Sequence, residues 1–468
     1  MANENFVTRN LRLLRRTWQR IAGVASSGDN GHVGLTRRQV TDLEGLMHEC
    51  IAQAGGEVSA RAQAAKLGQV YLGLDRTGRL EFLRLMANFG PDRRVLTAAA
   101  RGLLDAREES ARLEHEKAVR EAVRAPRVKI LTQFTGLPDG VKFLVDLRSD
   151  LLGFVRERPE LEILESELST LLALWFDVGF LELQRITWDS PASLLERLIA
   201  YEAVHEIRSW EDLRNRLDSD RRCYAFFHPR MPREPLIFVE IALARGLAGS
   251  IQKLLDESEP AADPRKVDTA IFYSISSTQE GLRGISFGNF LIKRVVEELK
   301  RDFPSLRTFA TLSPIPGFVR WLQTEEAANI VLPQPMRTKL KRGGVDADNA
   351  QTLWKSAATD HWNTDPKRSA LLEEPMLALC SHYLTQVRQG LRPVDPVARF
   401  HLDNGARIER LNWLADTSSK GLKQSAGIMV NYLYDTSEIE RNHEAYRLHG
   451  KVALASDLRL HLRNLNPA

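Results

Sequence analysis

The sequence predicts an α+β chain in two parts, an all-helical region over residues 1–185 followed by a mixed-sheet region over residues 186–468. Two observations carry this prediction. Apolar residues recur at helical spacing through the first part, and after Trp188 they gather into short runs rich in β-branched and aromatic residues. A third observation points to function, because one of those runs leads into a glycine-bearing loop and then a helix, a arrangement suited to holding a phosphate group.

In the helical part, Thr36 and Gln39 form a capping box ahead of Val40, Leu43, Leu46, Met47 and Ile51, and Gly55 with Gly56 stops that helix. Leu80, Leu83 and Met86 continue the pattern before Gly90 and Pro91. Pro138, Asp139 and Gly140 then open a helix carrying Leu144, Leu147 and Leu151. Repeated punctuation and period predict a helical bundle. The charged stretch from Arg107 to Arg124 reads as a solvated helix face, whereas Leu168, Leu171, Leu172, Trp175 and Phe176 read as core or interface. No repeat of fixed period is visible, which argues against a solenoid.

In the second part, strands are expected at Cys223–Phe227, Pro235–Leu243, Thr269–Ile275, Arg407–Trp413 and Gly427–Tyr434. Glu257–Arg265, with Pro260 and Pro264, reads as an exposed connection.

Composition narrows the function classes. Of 468 residues, 43% are apolar and 27% charged, as in ordinary globular chains, and the length suits two domains. Lys plus Arg (65) barely exceeds Asp plus Glu (61), with no basic block, so no nucleic-acid partner is expected. Cys50, Cys223 and Cys380 show no CxxC or metal-ligand spacing, which suggests reduced thiols and a cytoplasmic protein. No apolar run approaches the ~20 residues of a membrane span, so no membrane partner is expected. Arg9, Arg12, Arg15, Arg16 and Arg20 with Leu11, Leu13 and Leu14 weakly match a transit sequence. The segment is read instead as the first helix of the folded domain.

The chemistry is expected between Ile271 and Trp321, with a contribution from farther on. After the strand, Gly281, Gly284 and Gly288 allow close backbone approach to a ligand, and a helix from about Asn289 to Lys300 offers its N-terminal N–H groups. The loop is neither a Walker loop nor a good dinucleotide fingerprint. It matches the way acetyltransferase-type folds hold the pyrophosphate of coenzyme A, and Gln279 and Arg283 are counted with the glycines as CoA contacts. A second strand near Leu306–Thr311 ends in Leu312-Ser313-Pro314-Ile315-Pro316, where two prolines hold Ser313 on a stiff loop. His401 precedes Asp403-Asn404-Gly405, read as a hairpin turn ahead of the strand to Trp413.

The strings SISSTQEGLRG, FLIKRVVEELKRDFP, LSPIPGF, PVARFHLDNGA and LNWLADTS occur in this order, and FFHPRMPREPLIFVEIAL precedes them. In these blocks the chain resembles the malonyl-CoA decarboxylase family, with the likeness running from about Trp188 to Tyr434. The resemblance implies a C-terminal catalytic domain of acetyltransferase-like (GNAT-type) fold behind a helical domain that assists oligomerisation. It implies conversion of malonyl-CoA to acetyl-CoA and carbon dioxide, with Ser313 and His401 as the catalytic pair. Homo-oligomers are implied, the tetramer among them. Asn404 is a candidate substrate-binding donor toward the thioester oxygen. One departure stands at Ser286, where some relatives carry an acidic residue, so no acid/base role is expected there. No cofactor or metal is expected to be required, because the thioester itself accepts the electrons released. A CoA-dependent acyltransferase, or a non-catalytic CoA-ester sensor or scaffold, stays open as an alternative.

Overall fold

The computed structural model describes residues 34–52, 56–263, 265–285, 291–357 and 362–465. Its contacts divide the chain into two compact units. One comprises residues 1–175 together with 279–285, and the other 176–278 with 286–468. The division falls earlier than the expected 185, because Glu182–Ile186 is a strand paired with the sheet.

Among the described residues, the first unit is built on α1 (Arg37–Ala52), α2 (Gly56–Gly73), α3 (Arg76–Ala87), α4 (Arg93–Asp105), α5 (Glu109–Val123), α6 (Pro126–Phe134), α7 (Gly140–Phe154) and α8 (Glu162–Trp175). The capping box forms as the sequence predicts. Thr36 N–H donates to Gln39 Oε1 at 2.8 Å, and Gln39 N–H donates back to Thr36 Oγ1 at 3.3 Å. The helical period puts Met47, Leu67, Phe82, Leu131, Leu144, Leu147, Leu151 and Leu168 in the core, each fully buried. Tyr71 crosses Phe82 edge to face with ring centroids 5.1 Å apart, adding the preferred aromatic geometry to that burial.

Among the described residues, the second unit carries a seven-stranded sheet. Its strands are β1 (Glu182–Ile186), β2 (Arg221–His228), β3 (Met231–Ala244), β4 (Thr269–Ser277), β5 (Thr308–Thr311), β6 (Arg407–Asn412) and β7 (Met429–Leu433), in the spatial order β1-β2-β3-β4-β5-β7-β6. All neighbours are antiparallel except β4 and β5. A parallel pair needs a crossover, which helix α9 (Leu291–Asp302) supplies. This passage of strand, loop, helix and strand inside a mixed sheet is the arrangement that the sequence predicts.

The central strands β3 and β4 read as near-continuous apolar runs because they are covered on both faces. Leu195, Leu198 and Leu213 pack with Ala225, Phe227 and Phe238 in one cluster, and Ile251 and Ala415 join Ile271, Ala310, Leu312 and Met429 in another. Helix α9 presents Leu291, Ile292, Val295, Val296 and Leu299 inward, and leaves its charged residues to the other side.

Candidate active site

Strand β5 and the residues just past it build one side of the site. Side chains alternate along a strand, so Thr311 and Ser313 share a face. The backbone of Ser313 is clamped to Val430 by two bonds of 2.9 Å, Ser313 N–H to Val430 O and Val430 N–H to Ser313 O. Between that bridge and the Ala310 to Leu433 pairing, the regular ladder gives way to side-chain bonds. Tyr432 N–H donates to Thr311 Oγ1 at 3.0 Å, and Asn431 Nδ2 donates to Thr311 O at 2.6 Å. Pro314 and Pro316 then stiffen the exit.

His401 comes from helix α10 (Pro396–Asp403), not from a hairpin as expected. Asp395 caps the helix, accepting from Val397 N–H at 3.0 Å and Ala398 N–H at 2.9 Å, and Pro396 occupies the first helical position. Asp403-Asn404-Gly405 ends this helix rather than turning a hairpin. Ala406 N–H reaches His401 O at 3.1 Å and Gly405 N–H reaches Leu402 O at 3.0 Å, with Gly405 at φ +77°. The aspartate followed by proline was the sequence signal for the helix.

The two elements bring His401 Nε2 within 3.1 Å of Ser313 Oγ. Ser313 Oγ also donates to Thr311 Oγ1 at 2.9 Å, and His401 Nδ1 lies 2.7 Å from the Tyr434 hydroxyl. The imidazole stacks on Tyr432 with centroids 4.4 Å apart. Both catalytic candidates are buried, and burial alone pushes the His401 pKa down to about 3, so its imidazole is neutral at physiological pH. A neutral ring bonded at both nitrogens is a relay whose direction the other partners set. Thr311 and Tyr434 were not singled out from the sequence. The alternation through Asn431-Tyr432-Leu433-Tyr434 places Tyr432 and Tyr434 on one face and was the available signal.

Asn404, a candidate donor to the thioester oxygen, sits at the end of α10 with Nδ2 donating to Phe400 O at 2.8 Å. That bond gives its amide a capping role in its own helix.

The other expected residues behave differently. Gln279–Ile285 makes its contacts with the helical unit. Gly281 is buried, and a Cβ there would stand 1.7 Å from Val145 O, so helix packing rather than a ligand explains this glycine. Gln279 is also buried. Arg283 and Gly284 are exposed, and Gly284 adopts φ +82° with nothing within 4 Å of a Cβ position. Gly288 and Ser286 lie outside the described residues. Among the described residues, no group of three or more His, Cys, Asp or Glu side chains is placed to hold a metal ion.

A mixed sheet with a serine and a histidine buried in contact just past its parallel strands defines a candidate enzyme domain. Its family is specific. Residues 179–467 match the family described as Malonyl-CoA decarboxylase C-terminal domain, and residues 89–176 the corresponding N-terminal domain. The chain is 38% identical over 407 residues to "Malonyl-CoA decarboxylase, mitochondrial" of Anser anser anser, covering 83% of this chain and 80% of that protein. It is 37% identical to the protein of the same name from Rattus norvegicus, covering 83% and 82%. A solved malonyl-CoA decarboxylase from Rhodopseudomonas palustris superposes with a TM-score of 0.81 at 41% identity, covering 90% of this chain and 99% of that one. The Agrobacterium vitis structure gives 0.80 at 40%, with the same coverage. The chain belongs to the malonyl-CoA decarboxylase family.

Proposed function

We propose that this chain converts malonyl-CoA to acetyl-CoA and carbon dioxide, with Ser313 and His401 as its catalytic residues. The observation that carries the reading is their buried 3.1 Å contact, formed by two sequence blocks of the family. When the bond to the terminal carboxylate breaks, its electron pair passes into the thioester as an enolate, and one proton must reach the carbon left behind. A substrate carboxylate beside the neutral imidazole favours its protonated form. His401 therefore takes up a proton as substrate binds and supplies it to the enolate carbon, with Ser313 Oγ orienting the carboxylate or relaying the proton. A positioned acid of this kind contributes ~10²- to 10⁴-fold in rate.

Gln279, Arg283, Gly284 and Gly288 are assigned to CoA, with Gly281 shaping their segment. The reaction needs no cofactor or metal on this reading, since the thioester is the electron sink. Incubating the purified protein with malonyl-CoA, with and without EDTA and with and without an amine acceptor, tests this by mass spectrometry. Acetyl-CoA formed equally in all four supports the reading, and release of free CoA only with acceptor replaces it by acyl transfer.

A homo-oligomer, the tetramer among its forms, is proposed on the exposed apolar residues Val95, Leu104, Leu113 and Val123 of α4 and α5. Light scattering that finds only monomer at micromolar concentration contradicts it. A cytoplasmic location is proposed as well. No described helix is long and apolar enough to cross a membrane, and cell fractionation tests the placement.

A further inference from the structure

The segment 279–285 joins β4 to α9 along the chain, yet its contacts are with the helical unit. Arg148 of α7 accounts for much of this. Its Nη1 donates to Gly281 O at 2.7 Å and to Arg283 O at 2.9 Å. Its Nε and Nη2 donate to Glu165 Oε1 at 3.0 and 2.7 Å, and Nη2 also reaches Ser169 Oγ at 3.2 Å. A guanidinium has five N–H groups, and these five bonds use them all. Arg148, only 3% exposed, has no donor left for a ligand, so its work is on the segment itself.

What that work does follows from peptide geometry. The carbonyl of Arg283 and the N–H of Gly284 belong to one trans peptide and point in opposite directions. Fixing the carbonyl on Arg148 turns the Gly284 N–H to the other, exposed side, where it has no partner among the described residues. The segment is thereby split. Gly281, Leu282 and Ile285 are buried, while the Arg283 side chain, 60% exposed, and the left-handed Gly284 face outward. A backbone donor beside a guanidinium suits a phosphate oxygen.

We infer that Arg148 is a positioning residue for substrate binding: from within the helical unit it holds residues 279–285 in the shape that receives the phosphate groups of CoA. The helical unit thus sets substrate affinity as well as any role it has in assembly. This rests on the reading that the segment contacts CoA.

The test compares Arg148→Lys and Arg148→Met in the full chain, with two substrates. Malonyl-CoA carries the nucleotide and its phosphates, and malonyl-pantetheine presents the same reacting end without them. Losing the charge-assisted bonds should raise KM for malonyl-CoA about tenfold with kcat within about twofold of the parent. The kcat/KM for malonyl-pantetheine should not move. Arg148→Lys keeps a cation beside Glu165 and so guards against a misfolded Arg148→Met, because unfolded protein lowers turnover of both substrates together. An unchanged KM for malonyl-CoA, or equal impairment of both substrates by an Arg148→Lys protein that melts as the parent does, overturns the inference. Arg283→Ala and Gly284→Val separate the two claims. If they raise KM while Arg148→Lys does not, only the role of Arg148 falls, and if they too leave KM unchanged, the CoA assignment of the segment falls with it.

Discussion

His401 Nε2 meets Ser313 Oγ at 3.1 Å across 88 residues of sequence, inside a site where burial keeps the imidazole neutral. The two side chains reach it from unlike supports. Ser313 is held by backbone bonds at a strand end, and His401 by a helix fixed at both termini.

Ser313→Ala and His401→Asn should each lower kcat by ~10²- to 10⁴-fold, while affinity for a CoA ester changes little. Steady-state kinetics with calorimetric CoA binding checks this. Near-normal turnover in either folded variant removes that residue from the mechanism.

Tyr434→Phe removes the 2.7 Å partner of His401 Nδ1 without emptying the volume. The hydrogen bond lost is worth about 0.5–1.5 kcal/mol, so kcat should fall by up to about tenfold. The pH profile should shift with it, because the hydroxyl helps set the proton affinity of the ring. A profile superimposable on the parent's would show that Tyr434 only packs.

Stability should depend on pH through His401. Its pKa drops from 6.5 to about 3 on folding, so between these values the unfolded chain binds a proton that the folded chain refuses. The folded state therefore loses up to about 1.4 kcal/mol per pH unit as pH falls below 6.5, and nothing from this source above it. His401→Gln should abolish this part of the slope. Urea unfolding of both proteins from pH 5 to 7.5 measures it, and parallel curves would contradict the burial assignment.

Gly405→Ala should damage the site from its support. At φ +77°, a Cβ would lie 2.2 Å from Ile439 O and would strain the turn that ends α10 one residue beyond Asn404. A loss of about 1–3 kcal/mol in stability is expected from overpacking, together with reduced kcat. A thermal melt and a rate assay on the same preparation test both parts.

Much of this was legible in the sequence, and the failures are physically instructive. Helical period and capping signals located α1 and α7, and β-branched runs located β3 and β4, because burial imposes those patterns directly. The segment Asp403-Asn404-Gly405 misled, since one left-handed glycine serves a hairpin and a helix terminus equally well. Asp395-Pro396 would have decided for the helix. Gly281 looked like a ligand-facing glycine, but long-range packing against Val145 explains it, and no local pattern records a contact made so far along the chain. Tyr434 and Thr311 sat in predicted strands without a local mark of function. Their importance depends on which face meets His401, which only the tertiary arrangement decides.

In the proposed reaction, carbon dioxide leaves and a proton replaces it at the Ser313–His401 pair. Incubating the protein in D₂O with malonyl-CoA labelled by ¹³C in the free carboxyl, and following both products by mass spectrometry, tests it most directly. Labelled carbon dioxide and acetyl-CoA carrying a single deuterium in its methyl group are expected, with the rate largely lost in His401→Asn. Labelled malonate with free CoA, or acetyl-CoA formed at the parental rate by that variant, would contradict it.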